Sequence, residues 1–315
     1  MLKKLRPLLG FMGALACGLT IDVLHAQAQK GSPIILFDLH PISSSTGTKF
    51  VFVNYVAYDV GFSIDAVQPA WVGYRLSRKH IGGGAERANK FQREPRLAGR
   101  DASDRDYAGS GFDKGHLVPA ADMAWSVRTM EESFSYANVS PQRPGFNRGI
   151  WKRLETQIRD WAAALMEKDT IGLLIWSGPV LYGHFTLSQF GRLQIPEAFY
   201  KVIYHPKEER VAAFLLPHYS SKASLEGYLI SVDSLEKVTG MDFLRGLPDE
   251  EEERLESSLC RTCWIWSSRV SSSSRKPSGK QSARSDARVC AGTTKAGKPC
   301  HNVTRDPSGY CHHHR

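Results

Sequence analysis

Cysteine is nearly missing from this chain over most of its length. Of six cysteines in 315 residues, one is Cys17 and the other five all follow position 259. The stretch between them has no disulfide to draw on, so its stability must come from packing. Long apolar runs are scarce too. Past the N-terminal segment, no run is apolar for the ~20 residues that a helical bilayer crossing needs, so no stable membrane span is expected there. Acidic residues are in short supply: 32 Asp and Glu stand against 41 Lys and Arg, a net charge of +9. Such an excess suits polyanions such as nucleic acid, anionic membrane surfaces or acidic polysaccharides, and does not choose among them. No long internal repeat is present. Strands and helices do not follow a strict βαβ rhythm, which argues for an α+β class.

What is there is enough for a globular core: 42% of residues are apolar and 23% charged, where a disordered chain would carry fewer apolar residues. The first residues read as an address. Lys3, Lys4 and Arg6 precede a short apolar core at residues 8–19, and Ala26-Gln27-Ala28 is a small-x-small cleavage site. Residues 1–28 are therefore expected to be a signal peptide that exports the protein, to the periplasm or the medium. A second reading keeps Cys17 as a lipid-modified N-terminus, because Ala14-Leu15-Ala16-Cys17 loosely resembles a lipobox. Residues 29–47 form a leader, 48–255 the main domain, 256–288 a basic Ser-rich linker and 289–315 a Cys/His-rich module.

Within the main domain, residues 50–56 are β-branched and aromatic, as in a strand. Residues 71–76 alternate apolar and polar, as a half-buried strand does. Residues 85–112 are polar and Gly-punctuated, the pattern of a long loop. The chain turns helical near Glu131 and again near Arg148, where Ile150, Leu154, Ile158 and Trp161 recur at helical spacing and mark a buried face. Residues 170–180 read as a buried strand, 200–204 and 211–216 as a strand pair, and 231–238 as a short helix stopped by Gly240.

The chemistry concentrates between Asp113 and Arg159. Asp113-Lys114-Gly115-His116 brings a histidine, the one side chain that titrates naturally near neutral pH, beside a Lys and an Asp. Downstream come Asn138-Val139-Ser140-Pro141-Gln142, then Asn147, Glu155 and Arg159. On one continuous helix the last three would cover an arc of about 120°. Asn147 and Glu155 would then lie about 12 Å apart along the axis, too far to be direct ligands of one ion.

These motifs, in this order, resemble the DNA/RNA non-specific endonuclease family, the ββα-metal, sugar-non-specific nucleases. Asp113-Lys114-Gly115-His116 is similar to the family's Asp-Arg-Gly-His signature, and the likeness spans roughly residues 48–250. The resemblance implies an α+β ββα-metal fold, with a central mixed or antiparallel sheet flanked by helices. It implies an endonuclease that hydrolyses phosphodiester bonds of DNA and RNA with little sequence specificity. His116 would be the general base, Asn147 the protein ligand of Mg²⁺ (or Mn²⁺), and Glu155 the residue that orients a metal-bound water. Arg159 would steady the phosphate, and Asn138 would hold the site in shape. The physics agrees: a hard cation neutralises an anionic phosphodiester, and Mg²⁺ keeps several waters and needs few protein ligands. Lys114 stands where the family has Arg, a point charge in place of a planar fork, so a nucleic-acid-binding protein on a weakened nuclease fold is the alternative. A further family arginine lies upstream, and Arg87 and Arg93 are both candidates. No recognition helix, finger array or RNA-binding signature appears in this domain. A homodimer and an inhibitor protein are both open.

The tail carries Cys290, Cys300, Cys311 and His314, with His301, His312 and His313 as alternative ligands. A segment this small needs a staple. Structural Zn²⁺ on three thiolates and one imidazole would serve; so would disulfides in an oxidising compartment. Cys260 and Cys263 could pair with each other or with the tail.

Overall fold

The computed structural model describes residues 40–43, 50–182 and 188–266, and then positions 288–289, 291–293, 303–304, 308, 310 and 314. It divides into two units, Met1–Ser267 and Ser268–Arg315.

The first unit is built on seven strands. β1 (Phe50–Asn54), β2 (Tyr58–Ser63) and β3 (Gln68–Leu76) form a meander. Two short strands follow outside this sheet, β4 (Asp113–His116) and β5 (Val139–Gln142). The sheet resumes with β6 (Leu173–Pro179), β7 (Ala198–His205), β8 (Arg210–Pro217) and β9 (Leu229–Ile230). Its order is β9-β8-β7-β6-β3-β2-β1, and every neighbouring pair is antiparallel. Besides a single turn at Asp104–Tyr107, the α-helices among the described residues are α1 (Val127–Ser133), α2 (Lys152–Ala164), α3 (Val232–Thr239) and α4 (Asp249–Glu256). The sheet with its helices is an α+β fold.

Side chains two apart along a strand share a face, and here each face has its own core. Tyr74, Ile175, Phe199, Ile203 and Phe214 meet Leu154, Ile158 and Trp161 of α2. Trp176, Tyr200, Val202 and Tyr204 meet Val232 and Leu235 of α3 and Leu255 of α4 on the other side. This double cover corrects the half-buried reading of residues 71–76. Trp71 and Tyr74 belong to opposite cores and both are buried, because β3 lies in the middle of the sheet. The helix expected at 231–238 is present as α3. Ser231 Oγ accepts from Ser234 N at its start, and Gly240 ends it at φ 65°, a left-handed cap that suits glycine.

The packed chain continues past the boundary expected at Leu255. Cys260 and Cys263 form a disulfide with each other. Beyond it Trp264, 2% exposed, lies with its ring 4.4 Å from that of Trp161. Trp161 Nε1 donates to the carbonyl of Ile265 at 2.6 Å. The first residues assigned to the linker thus close over α2.

In the second unit, Arg288–Val289 pairs antiparallel with Val303–Thr304. Cys290, Cys300 and Cys311 lie outside the described residues, as do residues 1–28 with Cys17. Among the described residues no helix is long and apolar enough to cross a membrane.

Candidate active site

β4 and β5 make a two-stranded ribbon in which Asp113 faces Gln142 and His116 faces Val139. The pairing is close: a Cβ on Gly115 would sit 2.3 Å from the Gln142 side chain. The chain then enters a π-type turn, Phe146–Trp151, and continues into α2. Ribbon, turn and helix enclose an open cleft of about 670 Å³ whose lining includes Arg87, Lys114, His116, Asn147, Glu155 and Arg159.

The single helix expected through Asn147, Glu155 and Arg159 is broken. Gly149 takes φ −103° and ψ −107°, outside helical geometry. The 12 Å spacing drawn from a continuous axis therefore does not apply, and Asn147 and Glu155 face the same cleft. Irregular turns of this kind are frequent at functional sites.

His116 is packed between aromatic rings, 5.1 Å from Phe91 and 4.7 Å from Phe134. Burial, helped by the positive charge of Arg87, pushes its pKa down to about 3, so the imidazole is neutral at physiological pH. Its Nε2 is buried and has no hydrogen-bond partner. Trp151 Nε1 donates to its backbone carbonyl at 3.2 Å. Asn138 fixes the chain two residues on: Oδ1 accepts from Val118 N at 2.8 Å, and Nδ2 donates to the carbonyls of Val118 and Ser133. Asn138 is wholly buried and does not line the cleft, so it positions the loop after His116.

Asn147 Nδ2 donates to Asp113 Oδ2 at 2.9 Å. A carboxylate can only accept, so this bond assigns the amide and leaves Oδ1 for a ligand. Arg148 grips both oxygens of the same carboxylate, at 2.9 and 2.6 Å. Burial raises the Asp113 pKa, but the donors from Arg148 and Asn147 outweigh it and hold the carboxyl below its usual range.

Asp122 and Lys201, both buried, form one charge cluster with Glu155 and Arg159 at the cleft wall. Arg159 Nη1 pairs with Asp122 Oδ1 at 2.8 Å, and Tyr74 donates to Asp122 Oδ2 at 2.9 Å. Lys201, 0% exposed, donates to the carbonyl of Leu117 at 3.1 Å and to Ser177 Oγ at 3.0 Å. Its Nζ also lies 4.6 Å from the Trp151 ring centre. Burial pushes the Glu155 carboxyl up to about 7 against the pull of Lys201, with Asp122 adding to the rise.

Of the two upstream arginines, Arg87 lines the cleft, stacked over Phe134 at 5.0 Å. Arg93 is bonded to Asp101 instead. Lys114 pairs with Asp104 and lies over the rings of Phe91 and Tyr136. Two further cleft cations, Arg148 and Lys152, were not singled out in the sequence, and neither were Asp122 and Lys201. Lys201 sits in an apolar strand pattern, and only its three-dimensional partners mark it. A neutral imidazole, a free amide oxygen and a carboxylate ringed by cations form a cleft for attack on an anionic ester.

The comparisons agree with that class. The family model for DNA/RNA non-specific endonuclease matches residues 40–250, and the chain belongs to that family. It is 29% identical over 243 residues to Nuclease C1 of Cunninghamella echinulata var. echinulata, covering 70% of this chain and 93% of that relative. A nuclease of Nostoc sp. is 27% identical over 235 residues, with 69% and 83% covered. Human mitochondrial endonuclease G is 26% identical over 191 residues, with 55% and 63% covered. A chain of the crystal structure of the EndoG/EndoGI complex superposes with a TM-score of 0.56 at 20% identity, over 64% of this chain and 88% of that one. The protein is thus a hydrolytic nuclease with the ββα-metal fold.

Proposed function

We propose that the chain is an exported, metal-dependent endonuclease that hydrolyses phosphodiester bonds of DNA and RNA with little sequence preference. The observation that carries this reading is the convergence of neutral His116, Asn147 and Glu155 on one cation-rich cleft. The donor set fits a hard ion: Asn147 offers Oδ1, and Glu155 faces the same space to orient its waters. An ion held there by Asn147 would supply positive charge to the phosphate and to the departing 3′-oxygen.

The protein's own groups do the rest. His116 is held neutral among the aromatic rings and accepts the proton of the attacking water at Nδ1, since Nε2 is sealed from solvent. Arg159, oriented by Asp122, and Arg87 hold phosphate oxygens, and Lys114 adds a positive charge near the scissile group. Such contacts read backbone and no base edges, which is the physical source of low specificity. The signal peptide at residues 1–28, zinc on Cys290, Cys300, Cys311 and His314, a homodimer and an inhibitor partner belong to the same proposal.

The test is to incubate mature protein with plasmid DNA and with RNA, with Mg²⁺ or with EDTA, beside His116→Ala. Degradation of both by the wild type with metal only, and a loss of about 10²–10⁴-fold in the variant, is the expected result. Tight binding without turnover by the metal-loaded wild type would replace this reading with a binding protein.

A further inference from the structure

Past Asp122 the cleft wall runs on into a pair of stacked rings. All seven tryptophans of the chain lie among the described residues. Five are buried and Trp266 is half-buried, whereas Trp125 is 37% exposed. Its indole is stacked on His80, with ring centres 5.0 Å apart and planes 27° from parallel.

A single exposed apolar side chain is ordinary. This one is held in place from two directions. The turn at residues 82–84 presses on its backbone: a Cβ on Gly83 would meet the Ala124 carbonyl oxygen at 2.2 Å and Trp125 N at 2.4 Å. Ala85 N donates to the same Ala124 carbonyl at 2.9 Å. The backing ring is fixed as well, since Ser77 N donates to His80 Nδ1 at 3.3 Å. Burial, with the charges of Lys79 and Arg75, lowers the His80 pKa to about 4, so the imidazole is an uncharged, flat support.

The stack continues the cleft. Ala124 shares a small apolar cluster with Ala120 and Phe91, which line the cleft, and with Phe134, over which Arg87 lies. Trp125 comes three residues after Asp122, the partner of Arg159, and four after Ala121 in the cleft lining. Four residues span at most about 14 Å. Lys79 and Arg75 act on His80 as positive charges, so the field along this rim suits a phosphodiester chain as the cleft does.

We propose that Trp125, backed by His80, is a stacking subsite for an unpaired base of the nucleic acid held in the cleft, so that single strands bind better than duplex. The inference rests on the nuclease reading of the cleft. An unpaired base offers a bare π face to an indole, whereas in a duplex those faces are covered by the neighbouring pairs. Stacking touches no base edge, so it adds a preference for strand form and none for sequence.

The experiment uses the full mature chain and two fluorescein-labelled probes of equal length, an oligothymidylate, which cannot pair with itself, and a duplex. KM is measured with Mg²⁺, and Kd by fluorescence anisotropy in EDTA, for the wild type, Trp125→Ala and Trp125→Phe. Trp125→Ala is expected to raise the single-strand KM and Kd, relative to those for duplex, about 5- to 100-fold. The loss falls on KM and not on kcat, because the base is gripped alike before and during reaction. Trp125→Phe, which keeps a flat ring, recovers most of it. A strand with abasic sugars everywhere but at the scissile dinucleotide should bind the wild type as poorly as oligothymidylate binds Trp125→Ala, a contrast that needs no variant to fold. Equal changes on strand and duplex, no change on either, or full binding of the abasic strand would overturn the proposal. So would altered sedimentation of Trp125→Ala with its strand binding intact, which would make the rim a contact between copies of the chain. If neither probe is cut while the anisotropy contrast holds, the nuclease reading fails and the stacking subsite stands.

Discussion

The charged residues near the cleft differ in what they touch, and their partners divide binding roles from structural ones. Arg87 lies over an aromatic face within the cleft and forms no ion pair among the described residues, whereas Arg93 neutralises Asp101, which is fully buried. Arg87→Ala is therefore expected to cut kcat/KM at least tenfold with Tm unchanged. Arg93→Ala should cost about 2 kcal/mol of stability, by leaving a buried carboxylate short of donors, while spared protein keeps its kcat. Matched melts and initial rates separate the two. Lys201→Met removes the cation that Glu155 and Asp122 face in the interior. A loss of about 3 kcal/mol in urea unfolding is expected, with a fall in rate that Mg²⁺ does not restore; full activity would show that the cluster is passive. His116 adds a pH dependence. Its folded pKa lies below the ordinary value of 6.5, so protonation favours the unfolded chain. Its contribution is neutral above pH 6.5 and turns against folding as the pH falls toward the folded value. Between pH 7 and 4.5 the wild type should lose about 2 kcal/mol more than His116→Leu.

At the scale of elements, periodicity made some parts legible and local geometry hid others. The buried face of α2 could be read because Leu154, Ile158 and Trp161 repeat with the helix, and the 231–238 helix because Ser231 and Gly240 punctuate it. The break at Gly149 could not: one glycine in a helical pattern is usually tolerated, and here its departure brings Asn147 to the cleft. Nor could the covering of α2 by the chain after Leu255, since Trp264 and Trp266 stand alone beside a polar tract. That cover is testable. Trp264→Ala empties a buried site between Trp161 and Val211 and should cost about 3–5 kcal/mol. Thermal melts and a chain ending at residue 255 should show the same loss, and an unchanged Tm would make the cover incidental.

For the whole molecule, charge and architecture act together. The cleft gathers Arg87, Lys114, Arg148, Lys152 and Arg159 against Asp113 and Glu155, on a chain already carrying +9. Binding to duplex DNA should weaken steeply with salt, with a log–log slope of about −3 to −5, and Arg87→Ala should reduce that slope by about 1. A flat response would mean that the cleft does not carry the backbone contacts. The main chain at residues 116–118 is pinned from three sides: Trp151 on His116, Lys201 on Leu117 and Asn138 on Val118. A site held this firmly cannot mould itself to what it cuts, so the nucleic acid must do the bending. Flexible pyrimidine–purine steps then offer their phosphates more readily than stiff A-tracts. An enzyme that reads no base would still leave an uneven ladder of cuts, a record of the mechanics of DNA and not of its letters.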